Sequence, residues 1–151
     1  MKKAFTMIEL VFVIVIIGIL ASVAIPRLAV TRDDAVLVKG KSQVAAIRSG
    51  IAMQKSQNLL QGDTAGGHYY PSKLDNDTNN TLFWFSDGNT SNILETPIYA
   101  KNADGHWTET NNTRYIFHLN SGDIPFDYQP ATGSFDCHLL TTSQTCKDLT
   151  E

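Results

Sequence analysis

FTMIELVFVIVIIGILASVAIP, Phe5 to Pro26, is the stretch on which the reading of this chain turns. Every residue from Leu10 to Ile25 is apolar or small. From Phe5 to Ile25, at about 1.5 Å rise per residue, a helix would cover roughly 30 Å, the thickness of a bilayer's hydrocarbon core. Glu9 interrupts this otherwise apolar run. A carboxylate inside a membrane helix costs about 2.5–3.5 kcal/mol at the centre and less near an end. Its position in the first turns of a helix starting near Phe5 helps, because the helix dipole favours negative charge there. It still calls for a positive partner. A free amino group at Phe5, exposed by a cut after Ala4 and carried by a neighbouring chain, would supply one.

Lys2 and Lys3 precede the run, so a secretory signal peptide is the first alternative. Ser22-Val23-Ala24 offers small residues before Ile25, where such a peptide is cut. The length of the run and the presence of Glu9 oppose that reading. Charge does not fix the topology. Arg27, Arg32, Lys39 and Lys41 follow the run, so the Lys and Arg count by itself does not place the N-terminus inside.

Beyond Pro26 the chain reads as an ordinary polar domain. The full 151 residues, 42% hydrophobic, allow one modest domain. From Arg27 onward there are ten basic and fourteen acidic residues. This mild acidity argues against a dedicated nucleic-acid surface, which needs clustered positive charge. The two cysteines, Cys137 and Cys146, are close together near the C-terminus. In an exported protein that spacing predicts a disulfide, with about 2.5–3 kcal/mol of unfolded-state entropy removed. It does not suit a zinc site, which would need C-x-x-C spacing and more ligands.

Leu37, Val44, Ile47 and Ile51 share one helical face, and Lys39, Lys41, Arg48 and Lys55 fall mainly off it. One long helix from Phe5 to about Leu60, kinked at Pro26, is therefore expected. Gly62-Asp63 ends it, and Ala65-Gly66-Gly67 reads as a flexible connection. Leu74 to Asn92 reads as a polar surface loop pinned by Leu82-Phe83-Trp84-Phe85. Strands are expected at Ile93–Ala100, His106–Thr110, Arg114–Leu119 and Ser134–Leu140, separated by Asn, Gly, Asp and Ser turns. The fold class that follows is α+β, a long helix laid across a small antiparallel meander.

Lys2-Lys3-Ala4-Phe5-Thr6-Met7-Ile8-Glu9-Leu10, followed by the apolar helix and Pro26, resembles the N-terminal signature of type IV pilins and type II secretion pseudopilins. The resemblance covers about the first thirty residues. It implies cleavage between Ala4 and Phe5 by a prepilin peptidase, N-methylation of Phe5, and pairing of Glu9 with the Phe5 amino group of an adjacent subunit. The residue before the cut is usually Gly in this family, and Ala4 is a small substitute. The division implied is a leader over 1–4, a transmembrane and filament-core helix over 5–26, and a periplasmic or extracellular head over 27–151. The partners implied are like subunits, the prepilin peptidase, and an inner-membrane assembly platform with its motor. The localisation implied is the bacterial inner membrane, single-pass, with the head in the periplasm. The function expected is a structural filament subunit, a pseudopilin of type II secretion or DNA uptake. Cys137 and Cys146 tilt toward the alternative of a surface type IV pilus, where a disulfide-closed C-terminal loop occurs. A secreted binding module with a cleaved signal peptide is a third reading.

Asp77-Thr78-Asn79-Asn80-Thr81, Asp87-Gly88-Asn89-Thr90-Ser91 and Glu109-Thr110-Asn111-Asn112-Thr113 each contain an N-x-[ST] acceptor with an acid two residues before the Asn. They resemble the extended acceptor of bacterial periplasmic N-glycosylation. An Asn- and Thr-rich chain also generates such runs as Asx-turns. Asp75-Asn76-Asp77-Thr78-Asn79 alternates oxygen ligands like a calcium loop. However, Asn80 stands where the turn Gly belongs and Ser86 where the bidentate acid belongs. Major pseudopilins bind calcium through a C-terminal tail that this sequence does not match. No cofactor is expected. His68, His106, His118 and His138 show no helical i, i+4 pairing, and no nucleophile elbow or nucleotide loop is present. Catalysis is not expected, and His118 reads as structural.

Overall fold

The computed structural model describes residues 5–62, 67, 69–76, 80–85, 92–138 and 143–150, with the side chains of 26–31 left aside. Helix α1 (Met7–Gln61) comes first, followed by β1 (Thr81–Leu82), β2 (Ile98–Tyr99), β3 (Trp107–Asn111), β4 (Arg114–Phe117), β5 (Ile124–Gln129), β6 (Ser134–Cys137) and α2 (Gln144–Thr150). The chain divides into two compact units, Met1–Ala35 and Val36–Glu151. Helix α1 contributes its first part to one and its second to the other. The fold is α+β with a pilin-like architecture, as the sequence indicates.

Within the second unit, β3-β4-β5-β6 form an antiparallel sheet in sequence order, and β1 pairs with β2 in a separate two-stranded ladder. Alternation sets the inner face. Tyr115 and Phe117, then Ile124, Phe126 and Tyr128, then Phe135 and Cys137 are buried at every second position. Against this face lie Val44, Ile47 and Ile51 of α1, the residues the 3.6-residue period selects. Trp107 at the start of β3 is fully buried, and its indole N–H donates to Gln43 Oε1 of α1 at 3.0 Å. The centre is aromatic. Trp107 lies 4.9 Å from Phe117 and 5.2 Å from Phe126, while Phe126 stacks on Phe135 at 5.2 Å. Offset and edge-on rings of this kind add about 0.5–1.5 kcal/mol per pair beyond their buried area.

Gly50 shows why α1 carries a glycine on this face. A β-carbon there would fall on the carbonyl of Ile93, with the carbonyl carbon at 2.9 Å. Helical Gly→Ala normally stabilises by about 1 kcal/mol. Here the obstacle is backbone and cannot swing aside. Gly50→Ala is expected to reverse that sign and cost about 1–3 kcal/mol. A thermal melt that moves upward would contradict the close approach.

Four sequence expectations are adjusted. The strand expected over Ile93–Ala100 is confined to Ile98–Tyr99, because Pro97 supplies no N–H to a ladder. The last strand ends at Cys137, and Leu139 and Leu140 lie outside the described residues. Strand β5 was not anticipated, since Pro125 sits inside it. Pro125 pairs with Ile116 and gives its carbonyl to the His138 N–H at 2.9 Å. Its missing N–H faces β6 at the end of that ladder, so only a terminal bond is forgone. Helix α2 was also not anticipated. Ser143 caps it, its Oγ accepting from Cys146 N–H at 3.4 Å, and Cys146 and Leu149 are its buried residues.

Helix α2 is fastened in two ways. Cys137 and Cys146 form a disulfide, as their spacing suggested. Arg48 of α1 donates from Nε to Phe135 O at 3.0 Å, from Nη1 to Thr150 O at 3.0 Å and from Nη2 to Asp136 Oδ1 at 2.7 Å. One guanidinium thus joins α1, the outer edge of β6 and the C-terminal end of α2, where a cation is favourable. Replacing both cysteines by serine is expected to lower the unfolding free energy by about 2.5–3 kcal/mol. Urea unfolding of the oxidised and reduced wild-type chain should show the same difference.

The exposed face of the sheet carries an ionic row. Arg114 donates to both oxygens of Asp127, at 2.6 and 3.1 Å, and His138 Nδ1 lies 2.7 Å from Asp127 Oδ2. The Arg114 hydrogen bond holds the Asp127 carboxyl below the usual Asp value, against a smaller opposing effect of burial and with help from His138. A lowered folded-state pKa contributes stability that is present above the unfolded value and lost as pH falls through the folded one. Stability should therefore drop as pH goes below about 4. Asp127→Asn should flatten that part of the curve, which acid titration of the unfolding midpoint would reveal.

Candidate functional site

The apolar segment begins with a cap. Thr6 precedes the first helical residue, and its Oγ1 accepts from the Glu9 N–H at 3.3 Å, while its carbonyl accepts from Leu10 N–H at 3.2 Å. Thr6-x-x-Glu9 has the spacing of a capping box, with Thr at the N-cap and Glu three residues later. This role for Thr6 was not drawn from the sequence, although the T-x-x-E spacing before an apolar run was there to give it. Glu9 is the acidic residue of the first turn and is exposed. The same two residues thus start the helix and set a carboxylate at its mouth.

Among the described residues, one stretch of helix, Met7–Ile25, is long and apolar enough to cross a membrane, and none of it is buried. Its apolar side chains point outward all round: Ile8, Leu10, Phe12, Ile14, Ile17, Ile19, Leu20, Val23 and Ile25 are all exposed. A helix apolar on every side is stable only when something apolar surrounds it, lipid or other helices. Ser22 satisfies its own hydroxyl by donating to Ile19 O at 2.7 Å. A β-carbon at Gly18 would meet nothing.

Phe5 is exposed at the start of this segment. Ala4, on the other side of the expected cut, lies outside the described residues, as do Asn79, Asn89 and His68. Asn111 is described and ends β3. Asp75, the first ligand of the calcium-like run, is buried, and its Oδ2 accepts from Phe83 N–H at 3.2 Å and from the Tyr115 hydroxyl at 3.0 Å. Asp77, Thr78, Asn79 and Ser86 of that run are outside the described residues. Among the described residues no group of three or more His, Cys, Asp or Glu is placed to hold a metal. His118 bridges Thr108 Oγ1 at 2.8 Å and Asp123 Oδ1 at 2.7 Å, joining β3 to the turn before β5.

The family description "Prokaryotic N-terminal methylation motif" matches residues 1–25. The chain is 34% identical over 71 residues to the type II secretion system core protein G of Escherichia coli K12, covering 47% of this chain and 43% of that one. It is 40% identical over 66 residues to the protein of the same name from Klebsiella michiganensis, covering 44% and 46%. It is 46% identical over 55 residues to the type IV narrow pilus major component PilA5 of Thermus thermophilus, covering 36% and 47%. Each match spans less than half of the relative's own length. No solved structure matches the chain. The chain therefore carries the N-terminal methylation motif on a pilin-like α+β fold and resembles both type II secretion core protein G and a type IV pilin.

Proposed function

We propose that this protein is a structural subunit of a type IV filament-like assembly, most closely a pseudopilin of a type II secretion or DNA-uptake system. The observation that carries the reading is the capped Phe5-Thr6-x-x-Glu9 start on a helix whose entire apolar circumference is uncovered. In this reading the 1–4 leader is removed between Ala4 and Phe5 by a prepilin peptidase, and Phe5 is N-methylated. The Met7–Ile25 segment first anchors the chain in the inner membrane, with the head in the periplasm. It then becomes the filament core when platform and motor extract it. Glu9 pairs with the Phe5 amino group of the neighbour, which makes the buried carboxylate tolerable. The protein acts by assembling with like subunits, and catalysis is no part of the reading.

Intact mass and N-terminal sequencing of the mature chain test this. A methylated Phe5 start is expected. A chain beginning at Ile25 would mean that a signal peptidase removes the segment, and the filament reading would fall. A surface type IV pilus is the second reading. It is favoured by the disulfide-closed C-terminal segment and by the similarity to a narrow-pilus component. Electron microscopy of intact cells separates the two, because only the second gives long external fibres containing this chain.

A further inference from the structure

Glu109-Thr110-Asn111-Asn112-Thr113 is the acid-extended acceptor run that lies wholly among the described residues. It occupies the end of β3 and the two-residue turn into β4, with Asn111 pairing Arg114 across the hairpin. The ladder is irregular between Glu109 and Asn111, and beyond that irregularity the tip is held by this last pair and by Tyr128 N–H of β5, which donates to Thr113 O at 2.7 Å. Asn111 is exposed there, in a place where a bulky adduct displaces only solvent.

The carboxamide is held in a specific way. Asn111 Oδ1 accepts from the Thr113 N–H at 3.1 Å and from the Thr113 hydroxyl at 3.0 Å. The N-x-T spacing thus brings both donors of the third residue onto one oxygen. Two donors at Oδ1 stabilise the imidate form reached when Nδ2 gives up a proton. No hydrogen bond to Nδ2 occurs among the described residues. The atom that would react is therefore unengaged, at the outer tip of the hairpin.

We propose that Asn111 is an N-glycosylation site, read by a bacterial oligosaccharyltransferase through Glu109 and Thr113 and supplied by a lipid-diphosphate-linked oligosaccharide. Nδ2 attacks C1 of the first sugar, and the C1–O bond to the diphosphate breaks. The lipid diphosphate leaves with the electron pair, and the Nδ2 proton passes to a base of the transferase. The bland alternative is that the run is only an Asx-type turn closing the hairpin. Such a turn needs Asn111 and Thr113; Glu109 is half-buried on β3 with Oε1 turned inward, so it must swing out to be read, and only recognition makes occupancy depend on it. The proposal rests on export of the head and is independent of filament assembly.

The full chain would be produced together with an acid-dependent bacterial oligosaccharyltransferase and a lipid-linked oligosaccharide of known mass. Mass spectrometry then reads the peptide containing Asn111. That peptide is expected to gain one oligosaccharide mass, and Asn111→Gln to abolish the gain. Glu109→Gln and Thr113→Ala should each cut occupancy at Asn111 at least tenfold. Thr113→Ser, which keeps the hydroxyl, should retain it and so separates recognition from misfolding. A bare Asn111 in chains whose Cys137–Cys146 bond has formed, in cells that modify a control acceptor, overturns the proposal and leaves the filament reading standing. Occupancy unchanged by Glu109→Gln overturns it as well. A bare Asn111 with both cysteines reduced would overturn the export reading and take this proposal with it.

Discussion

Replacing Glu9 with alanine is expected to abolish incorporation of the chain into filaments while the precursor is still inserted and still cut after Ala4. The argument concerns what the substitution leaves behind. Alanine at position 9 makes the segment more apolar, so residence in the bilayer becomes easier. Assembly is another matter. A neighbour's Phe5 ammonium, brought into a water-poor filament core without its carboxylate, is an uncompensated buried charge, and breaking such a pair costs about 3–5 kcal/mol. At about 1.4 kcal/mol per tenfold, that is a hundredfold or more at every subunit contact, compounded along a fibre. Glu9→Asp keeps the charge but shortens the reach by one methylene, and should retain part of the yield. Fractionation of sheared filaments and membranes reads the outcome. A normal filament yield from Glu9→Ala would end the proposed pairing.

The second large effect belongs to the head. Phe83→Ala is expected to lower the unfolding free energy by about 3–5 kcal/mol. Phe83 is completely buried although it lies in a loop. Its ring sits 4.7 Å from Tyr115 and meets Trp107 and Phe135 edge-on at 6.1 and 5.9 Å. Those neighbours stand on β3, β4 and β6, where the sheet fixes their positions, so the space cannot close by small shifts. The backbone of Phe83 is left-handed, with φ at 59°, and its N–H is held by the buried Asp75 carboxylate. Alanine bears the same left-handed strain as phenylalanine, so the loss reflects the ring alone. Single domains are stable by roughly 5–15 kcal/mol, and this one side chain accounts for a large fraction. Urea unfolding should show a lower midpoint at unchanged slope. A loss under about 1 kcal/mol would mean that the aromatic cluster repacks.

Much of the candidate site was legible because its information is local. Apolarity from Leu10 to Ile25, the acid at position 9 and the basic Lys2-Lys3 are properties of neighbouring residues. The helix they imply, expected over Phe5 to about Leu60, is found over Met7–Gln61. Thr6 was equally local and still went unread, since its capping role shows only when the helix start is known to the residue. The Val44, Ile47 and Ile51 stripe was readable for the same reason, and those residues do meet the sheet.

The parts that escaped depend on partners distant in the chain. Pro125 argues against a strand until β6 is known to end beside it. Leu74–Asn92 reads as a polar loop pinned by Leu82-Phe83-Trp84-Phe85, and Leu82, Phe83 and Phe85 are buried accordingly, but Leu74 and Asp75 are buried as well. Phe83 N–H donates to the Asp75 carboxylate, and the hydrogen bond that Asp75 accepts from Tyr115 reaches 40 residues further along. Arg48 looks like any off-face cation of an amphipathic helix, but it closes the seam between β6 and α2, 87 and 102 residues away.

The sequence alone therefore determined the apolar segment, the long helix, its core-facing stripe and the pairing of the cysteines, because periodicity, hydropathy and short spacing act within a few turns. Tertiary structure decided the central strand β5, the docking of α2 and the aromatic plug at Phe83. Each of these is stable only through groups that the fold brings together from far along the chain, where no local pattern records the match.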